Sequence, residues 1–150
     1  MPHDLTRFKK AQERDYETAL AEIRAGEKRS HWMWYIFPQL DGLGFSEISH
    51  YYGIKGIEEA QAYLADDMLR SHLLEISESL LVLESNNAIQ VMGYPDDLKL
   101  KSSMTLFLLS AERDSKYEKE AQVFKSVLKK FFAGEMDGQT VEMAQKEIQC

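Results

Sequence analysis

The chain has 150 residues, 44% of them apolar, and a formal net charge of −7. That length suits one domain with room for a real core, and the acidic balance argues against broad nucleic-acid binding, which draws its affinity from a basic surface. The single cysteine, Cys150, excludes an intrachain disulfide and fits a reducing cytoplasm.

The first residues, MPHDLTRFKKAQERDYETAL, are charged throughout and hold no apolar core of a signal peptide. The longest apolar run, Trp32 to Phe37, is far too short to span a bilayer. A soluble cytoplasmic protein without membrane or nucleic-acid partners is expected, its oligomeric state left open.

Asp4 is placed to cap a first helix. Leu5, Phe8, Ala11, Tyr16, Ala19, Leu20 and Ile23 gather on one face of it at about 100° per residue. Gly26 stands where a left-handed C-cap is expected. The next stretch, KRSHWMWYIFPQLDGLGFS, crowds His31, Trp32, Met33, Trp34 and Tyr35 together ahead of Pro38. Read as strand or as helix, residues 31–37 are apolar on both sides, so period alone leaves the choice open. If residues 46–52 are helical, Glu47 and His50 share a face at i, i+3.

A second helix is expected over Ile57–Leu64. Asp66 or Asp67 then caps a third with the stripe Leu69, Leu73, Ile76, Leu80 and Leu83. ESNNAIQVMGYPDD reads as turns around a short helical piece at Ala88–Met92, with Tyr94 extended before Pro95. Asp96 or Asp97 caps the next helix, which puts Leu100, Met104, Phe107, Leu108 and Ala111 on one face. Lys99, Ser102, Ser103 and Leu106 lie on the other. Apolar residues on most sides mark it as central. The last long helix, Lys116–Phe132, ends at Gly134, and Asp137 or Thr140 starts a terminal one. The expectation is an all-α, single compact multi-helix domain over residues 1–150, with a short extended aromatic segment near 31–37 as the variant.

Two indoles and a phenol side by side need acceptors for their N–H and O–H groups. They form either an aromatic core or a stacking wall for a planar ligand. In the second case Trp32 and Trp34 stack a base, while Lys28, Arg29, Lys99 and Lys101 face its phosphates. Gln39, Ser46, Ser102, Ser103 and the Gly42–Gly44 loop offer polar and backbone contacts. The serines have a plainer alternative, bonding back to the preceding turn of helix. Glu47, His31 and His50 are the acid–base candidates.

His3, His31, His50 and His72 show no metal-ligand spacing, so no metal is expected. Neither a P-loop, a dinucleotide fingerprint nor a GxSxG elbow is present, so no cofactor is assigned.

Several blocks together resemble a known family: RFKKAQ, YETALAEIRAGEKRSHWMWYIFPQLDGLG, YYGI, EAQAYL, DLKLKSSMTLF and FFAGEMDGQT. They are similar to the bacterial domain-of-unknown-function family 1810, whose members often carry a "calpastatin" label. The resemblance covers nearly the whole chain, implies a mainly helical single domain and brings no activity. The label carries no weight, because inhibitory segments of that kind are disordered and this chain is patterned to fold.

GFSEISHYYG followed by DLKLKSSMTLFL is also similar in outline to the NADAR superfamily, associated with NAD and ADP-ribose metabolism and cleavage of ADP-ribosyl N-glycosidic bonds. The Ser-x-Glu-His-Tyr block of that superfamily is interrupted here, since Ile48 and Ser49 separate Ser46-Glu47 from His50-Tyr51. The functional expectation is a pocket for a nucleotide-like ligand related to NAD or ADP-ribose, with N-glycosidase chemistry as its catalytic form. The alternative is a protein-interaction or structural domain without catalysis. Whether the protein is an enzyme stays open.

Overall fold

A computed structural model of the chain describes residues 3–149; Cys150 lies outside them. Helix α1, Thr6–Arg24, buries Phe8, Ala11, Tyr16, Ala19, Leu20 and Ile23 of the stripe expected from the 3.6-residue period, and the polar Gln12 with them. Asp4 bonds one step into the helix, its Oδ1 accepting from the Thr6 N–H at 2.9 Å. Gly26, at φ +85°, supplies the left-handed turn that releases the chain.

The aromatic run is helical, not extended. Met33–Ile36 forms α2, a single turn in which the Ile36 and Phe37 N–H groups donate to the Trp32 and Met33 carbonyls. A strand here would need a neighbour for its backbone groups. Among the described residues there is no strand, only an isolated parallel bridge between Leu40 and Ile54. That bridge fastens the loop after Pro38 to the chain beyond α3, Glu47–Tyr52. Gly53 permits the approach, since a Cβ there would stand 2.7 Å from Asp41 Cα.

Helix α4, Ile57–Ala65, leads into α5, Asp67–Val82, and the N-cap between them is Asp66, whose side chain accepts from the Leu69 N–H. The short α6, Ala88–Met92, falls where expected, capped by Asn87. Helix α7, Asp96–Ala111, is the centre of the fold, packing against α4, α6, α8 (Glu118–Phe132) and α9 (Gly138–Gln149). It is therefore buried on both faces; Leu106, on the supposed polar side, is as enclosed as Leu100 and Phe107. Each such side chain contributes roughly 1.5–3 kcal/mol of burial.

Polar groups inside α7 largely bond to their own helix. Ser102, Thr105 and Ser110 hydroxyls donate to the carbonyls four residues back, at 3.1, 2.8 and 2.8 Å. Ser103 Oγ is fully buried and finds no partner among the described residues. In the same set, no helix is long and apolar enough to cross a membrane.

Candidate functional site

The tryptophans separate in role. Trp32 is 1% exposed, and its indole N–H donates to Glu22 Oε1 at 2.9 Å. The same carboxylate accepts from the Arg29 N–H at 2.7 Å, the Ser30 N–H at 2.9 Å and the Ser30 hydroxyl at 2.5 Å. Burial pushes the Glu22 carboxyl up, but the bonds from Ser30, Arg29 and Trp32 outweigh it and hold the group down to about 2. One acidic side chain of α1 thus shapes the whole 29–32 turn. Trp32 is core.

Trp34 is only partly buried and meets α7 through Lys99, whose Nζ lies 5.2 Å from its ring centroid. Lys99 also reaches Asp96 at 3.5 Å, and Asp96 in turn receives Lys28 Nζ at 2.9 Å. The Lys28 side chain is 7% exposed, lies over the Trp32 ring and also donates to the Ser30 carbonyl. Asp96 therefore joins the loop after α1 to the start of α7. Lys28 is consumed in that junction; Lys99, less enclosed, faces a cleft.

That cleft, of about 270 Å³, is where three separated stretches converge. Gln39, Leu43, Gly44 and Ser49 form one wall. Pro95, Leu98, Lys99 and Ser102 form the second, and Asp137 with Gln139, at the start of α9, closes the third. Gly44 is needed for the fit, because a Cβ there would stand 2.7 Å from Ser49 Oγ. Asp137 is tied to the central helix by its backbone N–H, which donates to Thr105 Oγ1 at 2.9 Å. Leu43, Pro95 and Leu98 give an apolar side, and the remaining lining is polar.

A larger groove of about 530 Å³ runs along Arg24, Glu75, Glu78, Ser79, Val82 and Leu83. It is a furrow between the end of α1 and one face of α5, with Val82 83% exposed. Size favours this groove, but convergence of polar groups is the better criterion for a ligand site, and that favours the smaller cleft.

Of the residues singled out from the sequence, Gln39, Gly44, Lys99 and Ser102 meet in the cleft, and Trp34 stands beside it under Lys99. Ser46 caps α3 and pairs with the lining residue Ser49, Oγ to Oγ at 2.7 Å. Gly42, at φ +102°, turns the loop toward Met143. Lys101 pairs with Glu135 at 2.6 Å, and the exposed Arg29 with Glu27 at 3.2 Å. Ser103 is enclosed in the core.

The acid–base candidates do not come together. His31 and Glu47 are exposed and outside the cleft lining. His50 bonds through Nδ1 to Asp41 at 2.9 Å, and Asp41 also takes Lys55 Nζ at 2.7 Å. Burial raises the Asp41 carboxyl, but Lys55 and His50 hold it below the usual range. Among the described residues no group of acidic, histidine or cysteine side chains is arranged to hold a metal ion.

Leu43, Ser49, Pro95, Leu98, Asp137 and Gln139 escaped the sequence reading as site residues. Asp137 had a signal, the Asp-x-x-Thr capping pattern inside FFAGEMDGQT, but a cap pattern does not say which surface the cap faces.

A family model described as "Protein of unknown function (DUF1810)" matches residues 2–144. The chain belongs to this family. The DUF1810 chain is also similar to the crystal structure of the conserved hypothetical protein Rv1873 from Mycobacterium tuberculosis, at 42% identity. The match covers 97% of this chain and 99% of that one, with a TM-score of 0.87. No curated protein matches.

Proposed function

We propose that the protein binds a nucleotide-like small molecule, related to NAD or ADP-ribose, in the cleft between the Gln39–Ser49 loop, the start of α7 and the start of α9. The observation that carries this reading is the convergence of Lys99, Ser102, Gln39 and Gln139 opposite an apolar strip of Leu43, Pro95 and Leu98. A cation and several hydrogen-bonding groups beside an apolar strip suit a sugar phosphate attached to a base. The volume of about 270 Å³ lies just under the roughly 300–1,000 Å³ of ordinary ligand pockets. The cleft therefore takes a ribose phosphate, with the rest of the ligand lying over the rim. Lys99 supplies the phosphate charge.

N-glycosidase chemistry needs a carboxylate at the sugar to stabilise an oxocarbenium-like centre. Asp137 is the carboxylate that lines the cleft, so binding is the primary claim and hydrolysis the secondary one.

Thermal shift with NAD, ADP-ribose, nucleosides and nucleotides tests the reading. A ligand at tenfold its Kd stabilises the folded state by about 1.4 kcal/mol, which raises Tm by about 3–6 °C for a chain of this size. Lys99→Ala should remove most of the shift. No shift with any of these ligands at millimolar concentration overturns the proposal.

A second reading, a protein-interaction domain, draws on one observation: Phe45, Ile48 and Tyr51 around α3 are all exposed, Phe45 completely. Its signature would be self-association in sedimentation that Phe45→Ser abolishes.

A further inference from the structure

Resting on the cleft reading above, we propose that Asp137 is a specificity-determining residue that accepts the hydroxyls of a ribose, so that the cleft selects ribonucleotides over 2′-deoxyribonucleotides. The first argument is charge. Lys99 and Asp137 are the two ionised side chains in the lining, and their charges cancel. A site built for phosphate alone would not place a carboxylate in its wall, where it repels the anion. A ligand carrying one anionic group and, beside it, several hydrogen-bond donors fits both residues.

The second argument counts donors and acceptors. Asp137 Oδ2 accepts from the Thr140 N–H at 3.0 Å and the Thr140 hydroxyl at 2.6 Å. Oδ1 accepts nothing from the described residues. A carboxylate has about four lone-pair sites, so this one enters the cleft region with acceptor capacity unspent. The Ser102 hydroxyl has already given its proton to the Leu98 carbonyl, so it too offers only lone pairs. At Asp137 and Ser102 the cleft therefore presents acceptors, and the part of the ligand that meets them has to bring donors, while Lys99 and the Gln39 and Gln139 amides can donate to its acceptors. Vicinal hydroxyls are such donors; a deoxyribose has one fewer.

The third argument is rigidity. Asp137 is held at its side chain by Thr140 and at its backbone by Thr105 of the central helix. An acceptor fixed before the ligand arrives loses little freedom on binding, which is what makes it selective.

The test is isothermal titration with adenosine 5′-monophosphate and 2′-deoxyadenosine 5′-monophosphate. The wild-type protein should favour the ribonucleotide by about tenfold, as expected for one hydrogen bond to a charged acceptor. Asp137→Asn keeps a good helix cap. With its oxygen retained by Thr140, however, its amide NH₂ turns to the cleft, a donor in place of an acceptor, and the preference should fall to about twofold or less. Asp137→Ser, also a competent cap, should behave the same way, and unchanged melting of either variant separates this from misfolding. Equal affinity of the wild type for the two nucleotides overturns the proposal and leaves the cleft reading standing, as does an undiminished preference in both variants. Binding of neither nucleotide overturns the selectivity proposal, and the cleft reading falls with it if NAD and ADP-ribose also give no thermal shift.

Discussion

Replacing Glu22 by alanine should unfold the turn that carries Trp32. The carboxylate accepts from two backbone N–H groups, a hydroxyl and an indole N–H. The serine hydroxyl can turn to water, and Arg29 is exposed enough for its N–H to do the same. The buried Trp32 N–H and the partly buried Ser30 N–H cannot. Each stranded donor costs about 1–2 kcal/mol, so Glu22→Ala should lose about 3 kcal/mol, or roughly 6–12 °C in Tm.

Glu22→Gln is milder, because its amide oxygen can still serve the three N–H donors and the serine can accept from the NH₂. The loss is then only the charge assistance, about 1–2 kcal/mol after allowance for partial solvent screening. That part depends on pH. The folded carboxyl is depressed to about 2 from an unfolded 4.5, so its stabilisation is complete above the unfolded value and fades as pH falls through the folded one. Wild type and Glu22→Gln should differ by several degrees at pH 6 and converge near pH 2. Melting followed by circular dichroism across that range checks both statements. A Tm within about 1 °C of wild type for Glu22→Ala, or a wild-type–Gln gap that is flat from pH 6 to 2, would refute the reasoning.

Lys28 and Lys99 share Asp96 but should respond differently. Lys28→Met breaks an enclosed ion pair and should cost about 2 kcal/mol, read as a fall in Tm with ligand binding only slightly weakened. Lys99→Met, at a more open position, should leave Tm within a few degrees and weaken nucleotide binding in titration. Gly44→Ala would drive a Cβ to 2.7 Å from Ser49 Oγ; the loop must shift, so binding should fall at least fivefold while stability falls by about 1 kcal/mol or less.

Periodicity made the helices legible. The stripes of α1 and α5 appear where a 3.6-residue repeat puts them, and α5 starts at its expected Asp66 cap, because burial against a neighbour follows directly from one apolar face. The aromatic run defied this reading, since a segment apolar on all sides has no phase to measure; only the absence of a pairing strand decided it. The polar spot on α7 was half legible. Lys99 and Ser102 stood out of pattern and do reach one cleft with Gln39 and Gly44, whereas Ser103 points into the core. Helical projection separates two sides of a helix, but with α4, α6, α8 and α9 packed around α7 it cannot say which side stays open.

What the sequence could not carry was the partner of each charge. Arg29, Lys99 and Lys101 look equivalent as residue types, and each is a plausible phosphate ligand. Their differences arise from distant acids: Glu27 holds Arg29 on an exposed turn and Glu135 holds Lys101 from 34 residues away. Lys99 shares Asp96 with the better-buried Lys28, at the longer of the two distances. Because Lys28 already satisfies Asp96, Lys99 keeps more of its charge for the cleft it lines. The enclosed lysine is thus what makes the neighbouring one available, which is why the effects of Lys28→Met and Lys99→Met should not add. With Lys28 removed, Asp96 draws on Lys99 alone. Nucleotide affinity in Lys28→Met should then fall slightly, by less than the loss in Lys99→Met, and the double variant should bind no worse than Lys99→Met alone.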